Sequence, residues 1–278
     1  MKSLTLGHSP DADDAFMFYA LAANKIDTRG YAFEHVLQDI QTLNDRALRG
    51  ELDITAISIH QYPYVADKYA LTACGCSMGD GYGPMVVTRS PMTVEELRGK
   101  SIAIPGERTT AYLALNLLLG RGRFSHHVVM FDQILKHVAE GRADAGLIIH
   151  EGQLTYARDK LHLVVDLGEW WKRTTGLPLP LGGNCIRRDF GMPVMREVSN
   201  VLRESIQYSL DHREDAVAHA LRYARDLGKD LADKFVGMYV NHWTLDYGDT
   251  GRKAVRELLR RAHEAGLVPA VAEIDFVG

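Results

Sequence analysis

Two stretches decide how this chain is read: LRGELDITAISIH, residues 48–60, and AEGRADAGLIIHE, residues 139–151. Each runs from a helix end through a glycine (Gly50, Gly141) to an aspartate (Asp53, Asp144), and then into a short apolar strand. A glycine after the last helical turn takes the left-handed conformation that closes a helix, so each stretch reads as helix, C-cap and buried strand. Two units built alike suggest two similar lobes. Reuse of a common α/β turn in one continuous sheet explains the echo as well.

Outward from these stretches, strand and helix signals alternate, which favours parallel sheets covered by helices. Strands are expected at 4–7, 31–36, 54–59, 84–88, 101–104, 128–131 and 145–149. Helices are expected at 13–24, 40–49, 109–119 and 133–140, and Thr93-x-x-Glu96 reads as a capping box. The last third reads as helices at 194–211, 215–227, 231–241 and 249–265. Two short extended runs bordered by glycine, 84–89 and 182–188, are the expected crossings between lobes. They divide the chain into lobe one, residues 1–89 plus 185–278, and lobe two, residues 90–184.

Composition narrows the function. The 278 residues carry a formal net charge of −4 and are 46% hydrophobic, ordinary values for a globular protein. No lysine–arginine block provides the basic face that nucleic acid requires. No run approaches the ~20 apolar residues of a membrane span, and the N-terminal stretch lacks the apolar segment of a secretory signal. A cytoplasmic protein is therefore expected. Cys74-x-Cys76 lacks a second pair at zinc spacing, and with Cys185 reads as small buried thiols.

In open α/β sheets, ligands collect where strands run into loops and helices. The loop Gly106-Glu107-Arg108-Thr109-Thr110 opens a helix, whose free amides and positive dipole end suit a carboxylate or phosphate. Thr109 or Thr110 reads equally as a simple N-cap. Asp11, Asp13 and Asp14 start the first helix and read as solvated caps that repel anions, although Asp14 could accept hydrogen bonds from ligand hydroxyls. His150 follows Leu147–Ile149 beside Glu151, where a neutral imidazole could take a proton near neutral pH. Ser58 closes its own strand, and the Trp170-Trp171 pair reads as packing. No metal site is expected.

The stretches SPDADDAFMFYAL (9–21), GPMVVTR (83–89), GERTTAYLALNLL (106–118), DAGLIIHE (144–151), LGEWW (167–171) and TGLPLPLG (175–182) together resemble the MqnA/MqnD family of the futalosine route to menaquinone. The TTAY, LIIHE and LPLPLG segments and the paired tryptophans are more similar to its MqnD branch. The resemblance implies a type II periplasmic-binding-protein-like α/β fold, with two lobes joined by two extended crossings around a central cleft. It implies a cytoplasmic lyase that uses no cofactor and cleaves a small-molecule carboxylate, cyclic dehypoxanthinylfutalosine. Its base falls on His150, and its substrate contacts fall on Asp14, Ser58, Thr109 and Thr110, with Ala56 and Ile57 on the same strand.

The chain departs from that pattern twice. Asp11-Ala12-Asp13 stands where the family usually reads Cys-Pro-Asn, and Ala56 where it usually has lysine. A solute receptor for a small organic acid and a lyase of the chorismate-dehydratase kind are the alternative readings.

Overall fold

The computed structural model describes residues 2–224 and 228–278. The chain begins with β1 (Lys2–His8), α1 (Ala12–Met17), α2 (Tyr19–Ala22), β2 (Tyr31–Leu37), α3 (Ile40–Arg49) and β3 (Ile54–Ser58). The expected helix at 13–24 is thus two pieces, broken at Phe18, whose ψ of 13° lies outside the helical range. Strands β4 (Tyr69–Thr72) and β5 (Ser77–Gly79) complete this part.

The second sheet starts with β6 (Met85–Thr88) and continues through β7 (Ser101–Ile104), α4 (Thr110–Leu119), β8 (Ser125–Val128), α5 (Ile134–Ala139), β9 (Ala145–Ile148), α6 (Gly152–Thr155), β10 (His162–Asp166) and α7 (Leu167–Thr175). The chain then returns as β11 (Leu179–Arg187). It finishes with α8 (Gly191–Asp211), α9 (Arg213–Ala220), α10 (Lys229–Tyr239), α11 (His242–Leu245), α12 (Gly248–Glu264) and β12 (Phe276–Val277). The helix expected at 215–227 ends at Ala220, where residues 221–224 turn instead, and its last three positions lie outside the described residues.

Two sheets result. One has the order β12-β4-β11-β3-β1-β2 with β5 beside β11, and the other has the order β10-β6-β9-β7-β8. The echo seen in the sequence is a repeat of topology. In each lobe a central strand (β1, β7) pairs in parallel with the two strands that follow it. The third strand (β3, β9) then meets an antiparallel strand (β11, β6) where the chain enters the sheet. Gly50 and Gly141 both have positive φ, 68° and 76°. The two aspartates also do the same work. Asp53 accepts from the Thr5 amide at 2.8 Å, and Asp144 accepts from the Ser101 amide at 3.0 Å, so each ties its strand to the start of the central one. Strands β3 and β9 are buried along their whole length, as parallel strands covered on both faces must be.

Two boundaries move relative to the sequence reading. Met85–Thr88 belongs to the second sheet, because it pairs with Ala145–Ile148 and with β10. Leu179–Asn184 belongs to the first sheet, through β3 and β5. The crossings therefore lie at 80–84 and 176–178, several residues earlier than 84–89 and 182–188. The extended runs are strands already inside a sheet, and a β-strand and an extended connector have the same local signal. Strand β8 also lies earlier than 128–131, because its register is set by Ser101 opposite Ser125, leaving Val128 and Met130 more than half exposed at the edge.

Trp171 is fully buried, with its indole N–H donating to the Pro178 carbonyl at 3.1 Å, so half of the tryptophan pair packs the return crossing. The three cysteines are buried and free, and burial pushes Cys74 up to about 12 and Cys76 and Cys185 upward as well. Among the described residues no helix is long and apolar enough to cross a membrane.

Candidate active site

The C-terminal ends of β1, β3, β7 and β9 face one another across the gap between the lobes. A cavity of about 760 Å³, counting the space at its open mouth, lies there. All seven residues singled out in the sequence line it: Asp14, Ala56, Ile57, Ser58, Thr109, Thr110 and His150. The first four come from lobe one and the last three from lobe two, so the cavity exists only where the lobes meet.

Each side chain is placed by the end of an element. Ser58 ends β3 and is held on both sides by Asn44 of α3, whose amide nitrogen donates to its hydroxyl at 3.0 Å and whose amide oxygen accepts from its N–H at 2.9 Å. Ile57 is buried and Ala56 nearly so, and they contribute wall rather than charge. Thr109 is the N-cap of α4, accepting from the Tyr112 amide at 3.3 Å and donating to the Gly106 carbonyl at 2.8 Å.

Thr110 links the lobes. Its hydroxyl donates to the Leu181 carbonyl at 2.5 Å and accepts from the His60 N–H at 3.2 Å. Both threonine hydroxyls are therefore engaged, and the backbone amides of Thr110 and Ala111, first in the helix, are the groups left to meet an anion. More bonds hold the lobes together: the Arg108 amide donates to the Gln41 side chain at 3.0 Å, and the Tyr239 hydroxyl donates to the Gln153 side chain at 2.6 Å. Burial lowers His60 to about 4, so it meets this interface as a neutral ring near neutral pH.

The carboxyls of Asp11, Asp13 and Asp14 differ from the sequence reading. They are not solvated caps: all three line the cavity, with ligand-capable oxygens within 4.8 Å of one another. Asp11 caps α1, accepting from the Asp14 amide at 3.4 Å, and Asp14 accepts from the Ser9 amide at 2.7 Å. Burial, then the Asp13 charge, pushes Asp14 up to about 8. Burial raises Asp13, and burial followed by the charges of Asp13 and Asp14 raises Asp11 well above the carboxylate range. Like charges this close cannot all ionise out of water. The cluster therefore retains protons near neutral pH, which removes much of the repulsion toward an anion and leaves carboxyl O–H groups able to donate.

The sign of the resulting pH dependence follows from linkage. A carboxyl whose folded pKa is raised from 3.8 to about 8 stabilises the fold fully below the lower value, and that stability drains away as pH rises through the interval. Asp14→Asn, which keeps the oxygen that accepts from Ser9, should raise the melting temperature at pH 8. Its advantage over the wild type should vanish near pH 4. Parallel thermal melts of the two proteins across that range check this, and a constant difference would contradict it.

His150 follows β9 at the mouth of the second sheet. Its Nδ1 lies 3.7 Å from Asp11 Oδ2, and its ring packs on Phe131 with centroids 3.8 Å apart. Sequence reasoning missed the lining residues from the returning strand and the C-terminal helices. Asn184 on β11 is buried, and its side-chain nitrogen has no hydrogen-bond partner among the described residues. Phe235 and Tyr239 come from α10. No local motif marks these positions, because only the second crossing brings them to the cleft.

The comparisons fit this geometry. Residues 4–264 match a family model described as menaquinone biosynthesis. The chain is 42% identical to a 1,4-dihydroxy-6-naphtoate synthase of Thermus thermophilus, over 96% of this chain and 96% of that one. It is 39% identical to the enzyme of that name from Streptomyces coelicolor, over 97% and 96%. A crystal structure of an Archaeoglobus fulgidus protein superposes with a TM-score of 0.91 at 43% identity, covering 96% of this chain and 98% of the other. The alkanesulfonate-binding protein of Xanthomonas axonopodis pv. citri, at 13% identity with 97% and 95% covered, shares the fold with a TM-score of 0.71. The two-lobed architecture is thus that of periplasmic binding proteins. The match to the family model along nearly the whole chain places it further: the chain belongs to the menaquinone biosynthesis family.

Proposed function

We propose that this protein is a lyase of the cytoplasm that splits cyclic dehypoxanthinylfutalosine into 1,4-dihydroxy-6-naphthoate and dihydroxyacetone. The observation that carries the reading is the cavity between the lobes, where a histidine, a helix N-terminus and a cluster of three carboxyls converge. The two fragments together contain the atoms of the substrate, so the reaction needs proton transfers and no net redox change. His150 is the group suited to take the first proton, since a neutral imidazole combines basicity with availability near neutral pH. The amides at the start of α4 suit the substrate carboxylate, while Asp14 and Ser58 suit the hydroxyls of its sugar-derived part. The lobe-bridging bonds hold the two halves of the cleft together around the substrate.

Incubating the purified protein with the cyclic compound and detecting the naphthoate tests the reading directly. A receptor would bind the compound and release it unchanged.

The bridge at Thr110 gives a further expectation. Thr110→Ala removes a hydroxyl that holds the lobes together in the closed arrangement, but no group assigned to the chemistry. The Michaelis constant should rise about 5–20-fold, worth roughly 1–2 kcal/mol, with kcat within about threefold of the wild type. Steady-state kinetics check it, and an unchanged Michaelis constant would remove Thr110 from substrate retention.

A further inference from the structure

Asp11 stands at a position where the chain departs from the family pattern, and its carboxyl faces the histidine. Its Oδ2 is 3.7 Å from His150 Nδ1, across the junction of the two lobes, and both side chains are largely buried. We propose that Asp11 is a positioning residue for His150, holding the ring through its Nδ1 edge and stabilising the imidazolium that forms when the base takes its proton. This rests on the reading of His150 as the base.

Three observations favour the pairing. First, Asp11 is fixed by the protein itself: it caps α1, its backbone is extended at φ −131°, and its side chain turns back to the Asp14 amide. Second, Phe131 packs on the ring and limits the directions it can take. Third, the ionisable groups that share cavity walls with His150 are predominantly acidic. Asp13 and Asp14 line the same cavity from lobe one, while Glu151, Asp132 and Asp159 line the second cavity that His150 also borders. Among the described residues, Arg158 is the only lysine or arginine lining either. The imidazolium that forms on proton uptake therefore meets groups able to ionise against it rather than fixed cations. The separation of 3.7 Å is long for a hydrogen bond, as acid–base contacts often are until substrate tightens them.

The departure from the family pattern also couples the proton count of the cluster to the base. When His150 becomes positive, the nearest carboxyl has reason to ionise, so a proton retained among Asp11, Asp13 and Asp14 becomes available to the departing fragment. No atom is gained or lost: one proton leaves the substrate for His150, and one returns to a product.

Asp11→Asn is the decisive substitution, because asparagine caps a helix as well as aspartate and cannot ionise against His150. Asp11→Ser, a second capping residue without charge, guards against a folding defect peculiar to asparagine. Two readouts are taken on wild type and both variants: the pH dependence of kcat/KM on the cyclic compound, and an NMR titration of the His150 imidazole in the free protein. We expect the His150 pKa to fall by about 0.5–1 unit and the acid limb of the rate profile to move down with it. We expect kcat to fall about 10–100-fold with the Michaelis constant within about threefold. An unchanged His150 titration with kcat within about twofold overturns the assignment. If the wild type leaves the compound uncleaved while the His150 titration still shifts in both variants, the pairing stands and the assigned reaction fails.

Discussion

Replacing His150 by alanine should lower kcat by about 10³-fold while leaving the Michaelis constant within about threefold of the wild type. The magnitude is that of a positioned general base, which contributes typically 10²–10⁴-fold. The split follows from geometry: the ring sits at the cleft wall beside Asp11 and Phe131, whereas the groups suited to hold the substrate's anionic end lie at the start of α4. Removing a group that acts mainly in the transition state lowers kcat and kcat/KM together. His150→Gln keeps the volume and some hydrogen bonding without a base near neutral pH, and should behave like alanine. Rates of naphthoate release at saturating and limiting substrate settle the matter. A large rise in the Michaelis constant with kcat intact would make His150 a binding group instead.

Replacing Gly168 by alanine should be strongly damaging although the residue lies outside the cleft. Gly168 is near the start of α7, where the first crossing passes over it. A methyl group there would sit 1.8 Å from the Tyr82 carbonyl oxygen and 2.7 Å from the Gly83 amide nitrogen. Both are backbone atoms, so no side-chain rotation relieves the overlap. Moving the segment apart would break the Leu167 amide bond to the Pro84 carbonyl at 2.8 Å and strain the cap at Asp166, which accepts from the Gly168 and Glu169 amides. A destabilisation of about 3 kcal/mol is expected, corresponding to a thermal midpoint lower by roughly 6–12 °C. Gly81→Ala is the comparison. Its φ of 84° costs conformational strain, but a methyl group there meets open space, so about 1 kcal/mol is expected. Thermal melts of the two variants rank the effects, and equal losses would show that the crossing accommodates bulk at Gly168.

The part of the molecule legible in its sequence is the part that local chemistry encodes. Helix 40–49 is legible to the residue, because Asp39 caps it, Gly50 closes it in the left-handed region, and its apolar face repeats at helical spacing. Strand 101–104 is equally clear from a short apolar run between a glycine turn and a proline. The echo of Gly50-x-x-Asp53 in Gly141-x-x-Asp144 marks two lobes, since each aspartate is needed where its strand joins the central one. His150 and the Thr109-Thr110 turn are legible as strand-end and helix-start residues, and the cavity contains both.

Three things are decided only in three dimensions. The crossings escape a sequence reading, because an extended connector and a strand carry the same local signal until a neighbour pairs with one of them. Asn184, Phe235 and Tyr239 carry no motif, and reach the cleft only because β11 and α10 return to the first lobe. The three aspartates read as solvated caps in sequence, since aspartate at the start of a helix is normally wet. The closed lobes bury them beside one another and beside His150, and it is this removal of water that turns a capping cluster into one that retains protons. Composition and spacing determine which side chains this protein has and which elements carry them. Burial, and with it protonation, belongs to the assembled lobes, because desolvation depends on what closes over a group rather than on what precedes it in the chain.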